Sequence, residues 1–273
     1  MDKYLYSRGK IVYFKKGEKL ITILYFSPTG NVKYLAEKLS YNLGSENTSL
    51  LPLEFTNPEH LEPGVQLVIM YSIHAFNPPR TVRRFVNKIP EGLYKNISLI
   101  SVGCAESWVN KAASSGLKKK LQEKGYSILV EEIMAMPLSF IMSFPEDLIK
   151  KQILTADNKI GEIANSVLSE DASDSIIPLK SKILHGLGKA EGPAARMFGI
   201  ELHAGRDCTS CGICVKNCPE KNIRFNKKNK PKFGLSCLMC MRCIYNCPEK
   251  AISPRISKFI PIKEGFNNDY EIL

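Results

Sequence analysis

Long apolar runs are missing from this 273-residue chain. No stretch approaches the roughly 18 residues a membrane helix needs. The first twenty residues, MDKYLYSRGKIVYFKKGEKL, hold neither an unbroken apolar centre nor a small-residue cleavage site, so no secretory signal is expected and a cytoplasmic location follows. Tryptophan occurs once and histidine four times, and no Ser/His/Asp set or carboxylate pair stands out for hydrolytic chemistry. Neither G-x-G-x-x-G nor a Walker loop is present, which weakens dinucleotide and nucleoside triphosphate readings. Cysteine is scarce over most of the chain: of nine, Cys104 alone lies outside residues 208–247. A chain of this length with clustered cysteines reads as a metal-ligating protein in a reducing compartment, not as a disulfide scaffold.

What the chain does have is a doubled cysteine run. Cys208-x2-Cys211-x2-Cys214-x3-Cys218-Pro219 recurs 29 residues later as Cys237-x2-Cys240-x2-Cys243-x3-Cys247-Pro248. Two C-x2-C pairs could hold zinc. A third cysteine at the same spacing and a repeated C-P end favour two [4Fe–4S] cubanes, each run giving three thiolates to its own cluster and the fourth to the other. One cluster then takes Cys208, Cys211, Cys214 and Cys247; the other takes Cys237, Cys240, Cys243 and Cys218. Ile213, Val215, Ile223, Phe225, Leu238, Ile244 and Ile252 supply apolar cover, and residues 223–232 read as a hairpin between the motifs. Its lysines, Lys227, Lys228, Lys230 and Lys232, are either a docking patch for an acidic partner or a solvated turn.

Upstream, strand-like and helix-like patterns alternate from residue 20 to about 168. ITILYF (21–26), LVIMYS (67–72) and ISLISVG (97–103) are short apolar runs suited to strands buried on both faces, YSILVEEIMAM (126–136) is a further strand, and SLLPLEF (49–55) is an edge strand because of Pro52. Helices follow at Val32–Leu39, at Asn77 as cap with Pro78-Pro79 in the first turn, over 109–124, and after the S-x-x-E capping pattern of Ser143 and Glu146. The alternation predicts an α/β fold, a doubly wound, five-stranded parallel sheet. Residues 1–19 form a basic, Tyr-rich extension with an edge strand as its one assignable feature, 169–206 a connector with one or two short helices, 207–255 a small α+β cysteine domain, and 256–273 a tail.

Ser27-Pro28-Thr29-Gly30-Asn31-Val32 joins the first strand to the first helix, where an open α/β sheet binds its ligands and helix N–H groups can hold a phosphate. This segment resembles the T/S-x-T-G-N-T phosphate loop of flavodoxins. From about residue 20 to 255 the chain resembles a family, typical of anaerobes, that joins a flavodoxin-like domain to a bacterial-type 2[4Fe–4S] ferredoxin domain; Pro78-Pro79-Arg80 and Met136-Pro137 also match segments of that family. The resemblance implies FMN, with Ser27, Thr29, Gly30, Asn31 and Val32 at its phosphate and the loops containing His74, Phe76, Asn77, Gly103, Cys104 and Trp108 beside its ring. Val32 departs from the pattern, standing where flavodoxins have Thr. Trp108 and Phe76 are candidates to stack on the ring or to cap the core, and Cys104 is a redox thiol or a small packing residue.

The formal charge of +11 falls to about +5 once cluster and flavin phosphate charges are counted. Redox proteins, acidic ones above all, are the expected partners, with no nucleic acid and no membrane span. The implied function is electron transfer between redox partners. The alternatives are a ferredoxin-dependent flavin reductase acting on a small molecule, and a carrier whose flavodoxin-like domain has lost FMN.

Overall fold

The computed structural model describes residues 3–7, 10–14, 21–104, 108–137, 145–169 and 177–257. The N-terminal strands β1 (Lys3–Ser7) and β2 (Lys10–Phe14) pair antiparallel with each other in a separate sheet. Among the described residues the extension's two strands thus pair with each other and not, as expected, with the edge of the main sheet.

That main sheet is built from β3 (Ile21–Phe26), β4 (Thr48–Pro52), β5 (Gly64–Ser72), β6 (Tyr94–Gly103) and β7 (Ser127–Ala135). Its order is β4-β3-β5-β6-β7, and every pairing is parallel. This is the flavodoxin-like doubly wound order, whose switch point falls between β3 and β5. Pro52 ends β4 at the sheet edge, where its missing N–H breaks no inner ladder.

Side chains alternate between the two faces with period two. Ile23, Val68, Met70, Ile100 and Val102 face α1 (Asn31–Asn42) and the long α4 (Glu146–Ser169), which contribute Leu35, Leu39, Ile160 and Ile163. Leu24, Phe26, Ile69, Tyr71 and Leu99 face α2 (Arg80–Lys88) and α3 (Ser115–Glu123), with Val82, Phe85, Val86, Leu117 and Leu121. Both faces are thus dry, which explains the uninterrupted apolar runs in the sequence. Two helix starts differ from expectation. α3 begins at Ser115, after a turn over Trp108–Asn110, and α2 begins at Arg80 without a side-chain cap. The Asn77 amide is instead spent on the carbonyls of Ala75 and His185. Ser143 of the expected capping box lies outside the described residues.

Two helices, α5 (Leu179–Leu187) and α6 (Glu191–Glu201), bridge from the sheet to the cysteine unit. Ser181 Oγ accepts from the Ala112 N–H at 2.7 Å and seats α5 beside the Trp108–Asn110 turn. At the other end Gly199 lets α6 approach the second cysteine run; an added Cβ would lie 2.4 Å from Cys237 Cβ.

The cysteine unit contains two short antiparallel strand pairs and two helical turns. β8 (Leu202–Ala204) pairs with β11 (Ile252–Pro254), and β9 (Ile223–Phe225) with β10 (Pro231–Phe233), while α7 (Ile213–Lys216) and α8 (Arg242–Tyr245) carry cysteines. Its core is Phe198, Leu202, Cys214, Ile223, Phe233, Met241, Ile244 and Ile252.

Candidate functional site

The sequence repeat of the cysteine runs is also a backbone repeat. Ser210 and Met239, two residues after the first cysteine of each run, have φ of 62° and 54°; Gly212 and Met241 have 80° and 61°; Lys221 and Lys250 have 51° and 47°. Five of these six are not glycine, and a left-handed residue with a side chain costs about 1–2 kcal/mol. Alternating helix-sense conformations turn successive N–H groups inward, forming a nest that favours an anionic guest, as iron–sulfur sites require. The same correspondence holds for donors to sulfur: Asn222 N–H donates to Cys218 Sγ and Ala251 N–H to Cys247 Sγ, each at 3.3 Å. Met239 N–H likewise donates to Cys237 Sγ at 3.3 Å.

The eight sulfurs edge two cavities. Cys218, Cys237, Cys240 and Cys243 share one with about 430 Å3 of empty space, solvent at its mouth included. Cys208, Cys211, Cys214 and Cys247 share the other, of about 330 Å3 by the same measure. Each cavity therefore takes three cysteines from one run and the fourth from the other. Among the described residues, no three Cys, His, Asp or Glu side chains gather as they would around a single metal ion. Burial pushes the Cys240 thiol up to about 12 and Cys243 well above its ordinary range, and raises Cys214 and Cys237. Any metal taken up here must displace protons. The donor set, four soft thiols with N–H groups aimed at them, fits a cubane cluster.

A third cavity opens at the carboxyl ends of β3, β5 and β6, with about 1520 Å3 of empty space including its mouth. Ser27, Thr29, Asn31, Val32, His74, Phe76, Gly103 and Cys104 all line it. Three of the residues named from the sequence do not. Asn77 is buried behind the loop, Trp108 is 47% exposed on its turn, and Gly30 serves through its backbone. Gly30 precedes α1 with φ 104°, a conformation that favours glycine. Ser27 Oγ accepts from the Lys33 N–H at 2.9 Å, and the first turn of α1 has no acidic residue, so the helix end suits an anion. Asn31 Nδ2 donates to the Pro137 carbonyl at 2.8 Å, which leaves its Oδ1 buried without a partner and free to accept from a guest. Val32 is 1% exposed and belongs to the core beneath the loop.

Facing the loop, Ala75 and Phe76 sit at φ 40° and 63°. The His185 Nδ1–H donates to the Phe76 carbonyl at 3.1 Å, so α5 holds this strained turn in place. Burial pushes the His74 imidazole down to about 4, with a smaller opposing effect from a hydrogen bond to the Leu238 main chain, so the ring is neutral at pH 7. Cys104 is exposed at the rim, where its carbonyl accepts from Gln152 Nε2.

The remaining wall comes from more than a hundred residues further along the chain. Met239, Cys240 and Met241, from the second cysteine run, line this third cavity and the cavity of Cys218, Cys237, Cys240 and Cys243 alike. Two ion-pair clusters, one fully buried and one built around a buried carboxylate, hold them there. Arg242 Nη1 pairs with Glu54, both under a tenth exposed; Arg242 Nη2 donates to the Ser27 carbonyl at 2.8 Å, and its guanidinium lies over the Phe26 ring. Glu220, 3% exposed, takes Arg80 at 2.9 Å, Arg84 at 2.8 Å and the Thr81 hydroxyl at 2.5 Å. Arg80 also donates to the Ser236 carbonyl, one residue before Cys237. Leu238 completes the seam by inserting among the side chains on the α2–α3 face of the sheet. One signal was available: charged residues directly after Cys218-Pro219 and before Cys243 are odd choices for a buried cluster shell unless a second surface pairs them.

A family model described as a 4Fe-4S dicluster domain matches residues 202–248. No curated protein matches the chain in sequence. Among solved structures, the Streptococcus pneumonia TIGR4 flavodoxin aligns at 12% identity over 55% of this chain and 99% of its own, with a TM-score of 0.42. A Fusobacterium nucleatum flavodoxin bound to flavin mononucleotide aligns at 14% identity over 56% and 99%, TM-score 0.41. A flavodoxin from the domain Archaea aligns at 16% identity over 54% and 98%, TM-score 0.37. By its strand order and by the family match, the chain joins a flavodoxin-like sheet to a ferredoxin-type domain, and no helix among the described residues is long and apolar enough to cross a membrane.

Proposed function

We propose that the protein is an electron carrier holding two [4Fe–4S] clusters in its cysteine unit and FMN in the cavity at the β3–β5 switch point. The observation that carries this reading is the shared wall: Met239, Cys240 and Met241 separate the Cys237-run cavity from the β3–β5 cavity. A thiolate that ligates one redox group would thereby touch the space of the other. Cubane clusters supply single-electron exchange, and a flavin supplies the pairing of electrons in twos.

The chain's own residues would divide the labour. Cys208, Cys211, Cys214 and Cys247 hold the outer cluster, and Cys218, Cys237, Cys240 and Cys243 the inner one. Ser27, Thr29, Gly30 and Asn31 receive the flavin phosphate at the start of α1, with Val32 giving its backbone N–H alone. His74 and Phe76 flank the ring on one side, Gly103 and Cys104 on the other. The neutral His74 keeps a positive charge away from the ring, and the apolar Met239 and Met241 keep water out of the gap. No hydrolytic or acid–base set lines the cavity among the described residues, which favours a carrier over an enzyme with its own substrate.

The test is oxygen-free reconstitution followed by analysis of bound iron, acid-labile sulfide and released flavin. About eight irons and one FMN per chain are expected. Zinc in place of iron would overturn the cluster assignment; iron without flavin would reduce the protein to a ferredoxin with an empty flavodoxin-like domain. A small-molecule acceptor turned over at the flavin, with cluster reduction unaffected by Cys104→Ser, would instead make it a reductase.

A further inference from the structure

The two cysteine cavities differ in what surrounds them. The inner one is walled by the sheet domain through Leu238, Arg242 and Glu220. At the outer one Cys211 is exposed, and the β9–β10 hairpin folds over its loop: the Phe225 ring lies against Gly212, and Lys230 Nζ donates to the Cys208 carbonyl at 2.5 Å.

This hairpin and the neighbouring α7 are strongly basic. Residues 202–257 hold eleven Lys and Arg against three Asp and Glu, so eight of the chain's formal eleven excess positive charges fall on this unit. One of the three acids, Glu220, is consumed by the Arg80–Arg84 clamp, which leaves Asp207 and Glu249 as its exposed acids. Lys216, Arg224, Lys227, Lys228 and Lys232 are all exposed. None of the five has an ion pair among the described residues. Five exposed cations on one hairpin and the helix beside it make a positive surface, which a partner of opposite charge complements.

We propose that this basic rim is the docking surface for an acidic one-electron carrier protein, which exchanges electrons with the outer cysteine site while the inner site faces the β3–β5 cavity. The proposal rests on reading the two cysteine sets as cluster ligands. In each transfer the reduced partner loses one electron and the outer site gains it; no bond is made or broken. An acidic protein is favoured over nucleic acid because the charge lies on the hairpin and helix beside the exposed Cys211, where a partner's own redox centre must approach.

A purified acidic two-cluster ferredoxin, pre-reduced, serves as the probe for the reconstituted holoprotein. Raising salt from about 20 to about 300 mM shortens the Debye length several-fold, and the second-order transfer rate should drop about tenfold or more. The combined Lys227→Glu, Lys228→Glu and Lys232→Glu variant should lose about tenfold in low-salt rate and in binding, and flatten the salt dependence. The same charge change placed on the sheet domain, at Lys111, Lys119 and Lys151, should shift both by less than about twofold. Photoreduction by a neutral deazaflavin should be the same in both variants, which separates docking from cluster integrity.

Equal effects from the rim and sheet-domain variants would overturn the proposal. So would a short duplex DNA that binds as tightly as the ferredoxin and loses affinity in the rim variant. If the reconstituted chain holds no iron, the cluster reading fails by itself, and binding of the probe to the two variants still decides the docking surface.

Discussion

The sheet domain and the cysteine unit achieve order by opposite means. The sheet is covered on both sides by helices, with twenty buried apolar side chains on the α1–α4 face and eighteen on the α2–α3 side. The cysteine unit has eight, Cys214 among them and Phe198 lent by α6, and its loops carry five non-glycine residues at positive φ within the motifs. A core that small cannot offset such strain and the ordering of some fifty residues; small units of this kind depend on a bound metal group or a larger neighbour. Here the neighbour is the sheet domain, joined by the buried Arg242–Glu54 pair, by the arginines around Glu220 and by Leu238. Where a core is large, sequence pattern specifies the fold. Where it is small, ligand and partner surface do.

Iron removal should widen that contrast most. In chelated, metal-free protein, amide hydrogen exchange should lose essentially all protection across 208–254, whereas β3, β5 and β6 should exchange as slowly as in the loaded form. Retained protection in the cysteine unit would mean that its eight-residue core suffices.

Next in size is the crossed ligation. Cys218→Ser should remove the group held by Cys237, Cys240 and Cys243, although those cysteines belong to the other run. Cys247→Ser should remove the one held by Cys208, Cys211 and Cys214. Iron should fall to about half in each, and the electron paramagnetic resonance spectra of the two variants should sum to that of the parent. Identical residual spectra would refute the assignment.

Arg242→Leu tests the seam between the regions. It strands the buried Glu54 carboxylate, which is expected to cost about 3–5 kcal/mol, whereas the double change with Glu54→Leu should restore most of that loss. Denaturant unfolding followed by far-ultraviolet circular dichroism and by cluster absorbance would report both regions. If the single variant loses nothing, the ion pair is not what joins them.

The smallest effect is expected at Val32→Thr. A hydroxyl that reaches the flavin phosphate should tighten FMN by about 0.5–1.5 kcal/mol, roughly two- to twelvefold in Kd by flavin fluorescence. Weaker binding would show that the hydroxyl stays in the core, where the Val32 side chain packs now.

Local pattern made much of this molecule legible in advance. Apolar runs such as ITILYF and LVIMYS are uninterrupted because a strand covered on both faces needs no polar side, and Pro52 marked the edge because it has no N–H to donate inward. The cysteine spacing and the Gly30 turn could be read because their demands are met within a few residues. Asn77 was misread as a helix cap because its amide is claimed by the distant His185 carbonyl, and Trp108, named as a stacking candidate, lies outside the cavity lining on an exposed turn that packs against α5. Sequence by itself determined the strands, the helices, the switch-point loop and the doubled thiol motif. Only the tertiary structure decided that Met239, Cys240 and Met241 close the β3–β5 cavity, because that wall depends on Arg242 meeting Glu54 and Glu220 meeting Arg80, partners far apart in the chain whose pairing no local pattern encodes.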